Sequence, residues 1–371
     1  MVEEMSRGNE NKSDVKEDES ASKKRVITRD DLYRRSSQFR MWSYTREGLD
    51  EQKFKVNEKG KSHALKEFAA ALEKIRQTDE TFNQFESELS ADKLADLLTA
   101  DEEKRYLIFY SENIIKLTNS FRMPTQVKAT AMSFFKKFYL VNSVMEYHPK
   151  NVLYTCVFLA AKSENYFMSI ESFCHPLPKT EPKDVLDLEF LVLSSLKFTL
   201  FVHHPFRPLY GFFLDFQTVL LHPETAIPNL KVEALCTLYD AAKKWLSEHA
   251  LISDVGFLFS PPHIALAAMY DTNKKITEKY LKMKYFVSNT VEQKQEGGQS
   301  DNTKPPESEI NSKNYELLLS TINECITLIK STPKTTREDS TEIDKKCFYA
   351  LNPERLIKKR LNKLKTAGTP A

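Results

Sequence analysis

Glycine occurs only eight times in 371 residues, at Gly8, Gly48, Gly60, Gly211, Gly256, Gly297, Gly298 and Gly368. That is roughly a third of ordinary usage. No three of them form G-x-G-x-x-G, and no G-x-x-x-x-G-K occurs. The phosphate-cradling loops of dinucleotide and nucleotide enzymes are therefore excluded. Scarce glycine, 24 Phe and abundant Leu, Ala, Lys and Glu describe an all-α chain with an aromatic-rich core. Its length suits about two modules.

Apolar residues recur at helical spacing through the body of the chain. Leu65, Phe68, Leu72 and Ile75 make one stripe. Thr99 and Glu102 have the spacing of a capping box, opening a helix with Leu107, Tyr110, Ile114, Leu117 and Phe121 inward. Pro124 suits the first turn of the next helix, with Val127, Ala131, Phe134 and Phe138 inward and Lys128, Lys136 and Lys137 mostly outward. Val185, Leu188, Val192 and Leu196 stripe a further helix. Pro149 and Pro261 open two helices that echo each other: apolar residues follow each at +3, +4, +7 and +8, as Val152, Leu153, Cys156, Val157 and as Ile264, Ala265, Ala268, Met269. This echo points to two similar helical units in tandem.

The expected organisation is a disordered arm over 1–28, because that stretch has too few large apolar residues to offset the entropy of ordering. An N-terminal helical extension (29–97) and two helical units (98–203 and 204–286) follow. Then come a disordered polar insertion (287–312), a helix (313–330), a polar linker (331–345), and a basic helix with its tail (346–371).

Few features ask for catalysis. G-x-S-x-G and H-E-x-x-H are absent. Cys174-His175 and His203-His204 fit no standard ligand spacing, so no metal and no cofactor are expected. Asp187 and Glu189, two apart, do not share a helix face as an acid/base pair would. The five cysteines, an odd number with no C-x-x-C pair, suit reduced thiols in the cytosol or nucleus. The longest charge-free stretch, Val255 to Tyr270, is broken by Pro261-Pro262, so neither a membrane span nor a signal peptide is expected. With 54 Lys+Arg against 52 Asp+Glu, the core is not expected to bind nucleic acid directly. Only the segment 343–371, with 8 basic and 2 acidic residues, is strongly basic.

Three runs carry a resemblance. Phe134-Phe-Lys-Lys-Phe-Tyr-Leu-Val-Asn-Ser-Val-Met-Glu-Tyr-His-Pro149, Cys156-Val-Phe-Leu-Ala-Ala-Lys162 and Phe198-Thr-Leu-Phe-Val-His-His-Pro-Phe-Arg-Pro208 closely resemble the cyclin H family. The likeness spans roughly residues 33–286 and includes Ser36-Ser-Gln-Phe-Arg-Met-Trp42. The acidic, Ser-rich arm and the polar insertion look fungal. The resemblance implies two tandem five-helix cyclin folds flanked by N- and C-terminal helices. It also implies a non-catalytic nuclear subunit that activates a cyclin-dependent kinase, partnered by a RING-finger assembly subunit within a larger general transcription and repair factor. The substrate it implies is the heptad-repeat tail of RNA polymerase II.

The family's kinase-gripping lysine and glutamate map by resemblance to Lys162 and Glu189, and its apolar kinase contacts to Leu193, Phe198 and Leu200. Lys162 also suits an ordinary helix C-terminus, and Leu193 and Leu200 are equally compatible with a core position. Trp42 is expected to pack near the end of an N-terminal helix around Asp31 to Phe39, docked on the cyclin folds. The hydrophobic substrate-docking patch of cell-cycle cyclins is not matched, since the corresponding region reads Glu103-Lys-Arg-Tyr-Leu-Ile-Phe109. A cyclin-fold general transcription factor bridging promoter DNA and polymerase is the alternative. Such factors usually carry a zinc ribbon, whereas no cysteine precedes Cys156. In the basic tail, Ile357, Leu361 and Leu364 share one helix face. That face favours docking of the tail, while its charge also suits a nuclear-import or nucleic-acid patch.

Overall fold

The computed structural model describes residues 33–222, 230–287 and 307–367. The expected arm and most of the expected 287–312 insertion lie outside them. Among the described residues the regular structure is helical throughout.

A short helix α1 (Ser37–Trp42) begins at Ser36, whose hydroxyl accepts from Phe39 N. Residues 33–35 are also helical, with a bend at Ser36 between them and α1, and the expected start at Asp31 lies outside the described residues. The 33-residue α2 (Arg46–Thr78) follows, capped by Thr45, and then a short α3 (Ala91–Leu94). Helices α4 (Ala100–Ser120), α5 (Thr125–Phe138), α6 (Pro149–Ser163), α7 (Ile170–Cys174), α8 (Pro182–Leu186) and α9 (Glu189–Ser195) build the first unit. The capping box at Thr99 and Glu102 forms. The stripe through Val185, Val192 and Leu196 is buried, but the helix expected to carry it is broken at Asp187-Leu188 into α8 and α9.

The second unit comprises α10 (Phe206–Leu220), α11 (Val232–Trp245), α12 (Val255–Leu258), α13 (Pro261–Thr272) and α14 (Lys274–Lys282). It is completed by α15 (Glu307–Lys330). This corrects two expectations. Residues 307–312 are helical, and the helix expected as a separate element at 313–330 closes the second core. Ile322, Cys325, Ile326 and Ile329, at i, i+3, i+4 and i+7, all pack there. The paired central helices behave as their echo implied: Val152, Leu153, Cys156 and Val157 of α6 and Ile264, Ala265, Ala268 and Met269 of α13 are all buried.

The chain ends with α16 (Arg337–Leu351) and α17 (Pro353–Ala367). The polar linker expected at 331–345 is thus largely helix. A second capping box, Thr336 with Asp339, starts α16, and Ile343, Cys347 and Ala350 bury one face of it against the first unit. A narrow apolar stripe sufficed where the 331–345 window alone showed only Ile343.

Glycine poverty leaves its mark on helix ends. At Arg122, Asn165 and Lys197 the backbone takes φ values of 52°, 57° and 52°, the left-handed position usually given to glycine. Each closes a Schellman motif, with Met123 N to Thr118 O at 2.9 Å, Tyr166 N to Ala161 O at 2.8 Å and Phe198 N to Leu193 O at 3.0 Å. Satisfied carbonyls offset the steric cost of a side chain there.

Two stripes shift register. On α2, Ala64 rather than Leu65 joins Phe68, Ala71 and Ile75 inside, and Leu65 is exposed; small residues let α2 lie close to the first unit. The reason is visible at Gly60, where an added Cβ would sit 2.3 Å from Ser143 Cβ and 2.2 Å from its Oγ. Gly60→Ala is expected to cost about 1–3 kcal/mol through overpacking, outweighing the ~1 kcal/mol helix-propensity gain. Thermal melting checks it, and a melting temperature at or above wild type would show that α2 can move aside. The second shift concerns α5: Lys137, expected to point outward, is 2% exposed, because Trp42 covers it from a part of the chain distant in sequence.

Candidate functional site

The C-terminus of α6 and the N-terminus of α9 meet at one edge of the first unit. Lys162 lies in the last turn of α6, where a cation complements the helix dipole, and Glu189 is the first residue of α9, where an anion does. Their side chains form an ion pair, Nζ to Oε1. Lys162 Nζ also stands 4.9 Å from the Phe158 ring centre. Both members remain reachable, with side-chain exposures of 41% and 20%. An ion pair this open contributes about 0–1 kcal/mol to folding, so fold stability alone gives little reason for it.

Large apolar side chains are exposed beside the pair and in the segments that follow α6 and α9. Phe198 is 62% exposed, Phe190 71%, Phe201 69% and Phe167 82%. Exposed aromatics of this kind mark an interaction surface. Phe190 and Phe198 meet edge to face, ring centres 6.3 Å apart. Phe198 itself has φ 56°, directly after Lys197 in the same region, so the backbone holds its ring outward at a steric cost. Leu193 and Leu200 are half-buried and pack against the first core, in a supporting layer rather than at the outer surface. Of the five expected contact residues, the structure brings Lys162, Glu189 and Phe198 to the surface together. Phe190, Phe201 and Phe167 were missed. Within an apolar run they read as core, and only the register of α9, which spends Val192 and Ser195 on burial, turns Phe190 outward.

Behind this surface, α1 braces the segment joining the two units. Trp42, 1% exposed, donates from Nε1 to Thr199 Oγ1 at 2.9 Å, and Thr199 donates to Leu196 O at 2.7 Å. Gln38 clasps the backbone of His203, accepting from its N–H at 2.7 Å and donating to its carbonyl at 3.3 Å. Trp42 thus packs on the linker between the two units. Trp42→Phe keeps a ring but removes the Nε1 donor and part of the volume. It should lower stability by about 1–3 kcal/mol; an unchanged thermal melt would deny the indole its bracing role.

Glu103, in the stretch that differs from the substrate-docking patch, is occupied internally. It is 6% exposed and accepts from Asn57 Nδ2 at 2.7 Å, Ser143 Oγ at 2.9 Å and Val144 N at 2.8 Å. Burial raises its carboxyl pKa, while these donors oppose that shift.

Two successive helical units, each centred on a proline-started helix of small residues and joined by a braced linker, define a tandem cyclin fold. Residues 71–201 match the family described as cyclin, N-terminal domain, and residues 204–330 that described as cyclin C-terminal domain. The chain is 42% identical over 254 residues to the cyclin mcs2 of Schizosaccharomyces pombe, covering 68% of this chain and 73% of that one. It is 30% identical over 239 residues to a putative cyclin-H of Dictyostelium discoideum, covering 64% and 74%. Among solved structures, the CAK complex of Chaetomium thermophilum bound to ATP-gamma-S contains a chain matching with a TM-score of 0.66 at 25% identity, covering 93% of this chain and 98% of that one. A chain of the yeast TFIIK (Kin28/Ccl1/Tfb3) complex matches with 0.57 at 32% identity, covering 80% and 100%. The chain belongs to the cyclin H family.

Proposed function

We propose that this cyclin binds a cyclin-dependent kinase through the surface around Lys162 and Glu189, and activates it for phosphorylation of the RNA polymerase II repeat tail. It does so in the nucleus, together with a RING-finger assembly subunit in a larger transcription and repair factor. The observation that carries the reading is the Lys162–Glu189 pair at the meeting of two helix ends, with the exposed Phe190 and Phe198 rings beside it, in a cyclin H family chain. The similarity to a chain of the TFIIK complex supports the choice of partners.

The magnitudes are consistent. A kinase requires an ion pair between its αC glutamate and its ATP-binding lysine, and a cyclin favours that arrangement by contacting it better than the inactive one. Moving the equilibrium from 1:99 to 99:1 takes about 5.5 kcal/mol of differential contact. Burying the remaining exposed part of each phenylalanine yields roughly 1–2 kcal/mol. Three or four such rings reach the required size where an exposed ion pair cannot. The pair is then suited to orienting the kinase helix, with the apolar ring supplying most of the energy.

The test is to combine the purified chain with the cyclin-dependent kinase that co-purifies with it and to follow phosphate transfer to a heptad-repeat peptide. Turnover should rise at least about a hundredfold over the kinase alone, as the 1:99 starting population requires. Recovery of promoter DNA without any kinase would favour the cyclin-fold transcription factor instead.

A further inference from the structure

Lys137 on α5 is placed where a cation is unfavourable. It is 2% exposed, and its Nζ has no hydrogen-bond partner among the described residues. The ring of Trp42, with its centre 5.5 Å away, is the group that faces it. Burial alone holds its ammonium down to about 8. The adjacent Lys136 is satisfied, donating to the carbonyls of Ile252 at 2.6 Å and of Ser253. A buried ammonium left without such partners is strongly disfavoured unless something meets its charge.

Lys137 lines a cavity of about 80 Å³ where the first unit, the linker and the second unit converge under Trp42. Ser133, Lys136, His203 and His204 share the lining, and no carboxylate among the described residues does. The volume admits several waters or one tetrahedral ion. His204 is oriented by its neighbours. Thr130 Oγ1 donates to Glu164 Oε1 at 2.5 Å and lies 2.7 Å from His204 Nε2. The hydroxyl has one proton, so Nε2–H donates to it, and in the neutral ring Nδ1 keeps its lone pair. Burial, reinforced by Lys137 and His203, holds His204 at about 4. An anion in the cavity would reverse that preference and turn Nδ1 into a second donor.

We propose that this cavity binds a phosphate-sized oxyanion through Lys137 Nζ, with Ser133 and His204 as further donors, and that the bound ion fastens α1 to both cyclin units. The inference is independent of the kinase-binding reading, since none of Lys162, Glu189, Phe190 and Phe198 lines this cavity. Inorganic phosphate and a phosphomonoester on a longer chain share this chemistry, and the experiment separates them.

The full chain is titrated with sodium phosphate, with N-acetyl-phosphoserine amide, and with sodium chloride at matched ionic strength. Melting temperature and tryptophan fluorescence are followed, Trp42 being one of only two tryptophans. Phosphate should raise the melting temperature saturably where chloride does not. Lys137→Met, which keeps the stem and removes the charge, should raise the apparent dissociation constant at least about tenfold. A response to phosphate alone supports a free ion; a response to the phosphoserine amide as well supports a site open to a phosphorylated segment. If neither ligand gives a saturable response, or if Lys137→Met responds like the parent, the proposal is overturned. Should Lys137→Met fail to melt cooperatively, Lys137→Gln is read by the same two outcomes.

Discussion

Replacing Lys162 and Glu189 together by alanine should reduce kinase activation at least about tenfold, while the cyclin still melts within a few degrees of wild type. The two halves of this expectation have different origins. Stability is spared because the pair is partly solvated and contributes about 0–1 kcal/mol. The favourable interaction of Glu189 with the α9 N-terminus is worth about 0.3–1 kcal/mol more. Activation should fall because the pair lies beside the exposed Phe190 and Phe198 rings of the proposed kinase surface, and a few interface residues carry a disproportionate share of binding energy, commonly about 2 kcal/mol or more. Phe198→Ala should weaken activation similarly, since its ring, 62% exposed, holds little of the fold together. Kinase turnover on a heptad-repeat peptide, measured beside thermal melting, decides the matter. Full activation by the double variant would remove the pair from the kinase interface.

Much of this architecture was legible because its signals are local. Thr99 with Glu102, and the prolines at 124, 149 and 261, mark helix starts whatever surrounds them. The tandem echo needed only counting from Pro149 and Pro261. What escaped was decided by partners remote in sequence. Lys136 and Lys137 follow Phe134-Phe135 as any solvated pair of lysines would. Lys137 is buried because α1, about 95 residues earlier, lays Trp42 over it, and Lys136 is drawn in, half-buried, because the carbonyls of Ile252 and Ser253, more than 100 residues later, accept from it. The helix Glu307–Lys330 looked separate because a long polar stretch precedes it, although its Ile322, Cys325, Ile326 and Ile329 complete the second core. At the candidate site, Lys162, Glu189 and Phe198 came from a family resemblance, whereas Phe190 required knowing which face of α9 is buried.

The basic C-terminal helix is where sequence left two roles open, and its apolar face makes the stronger demand. Ile357 and Leu361 are 0% and 1% exposed, packed with Phe68 and Ile75 of α2, Phe82 and Leu89. Leu364 lies partly buried beside them. Ion pairs from Lys74 to Glu354 at 3.0 Å and from Lys365 to Asp79 at 2.8 Å tie the same two helices at their ends. Each isoleucine- or leucine-to-alanine change at such a position costs about 2–5 kcal/mol. Ile357→Ala with Leu361→Ala should therefore lower the melting temperature by about 10 °C or more, with the sum departing from additivity because the two share neighbours. Loosening α17 also frees the α2 surface on which it rests, so weaker kinase-complex assembly is expected alongside. Neutralising Arg355, Lys358, Lys359 and Lys363, all exposed, should leave the melt within a few degrees, because solvent-facing charges contribute little to folding. A docked helix and an import signal are thus separable on one element, the first read in the melt of the apolar variant and the second in nuclear accumulation of the basic one. If the apolar variant melted like wild type, α17 would have to be held by its inter-helix ion pairs instead, and a variant lacking Glu354 and Lys365 would then be the one that unfolds.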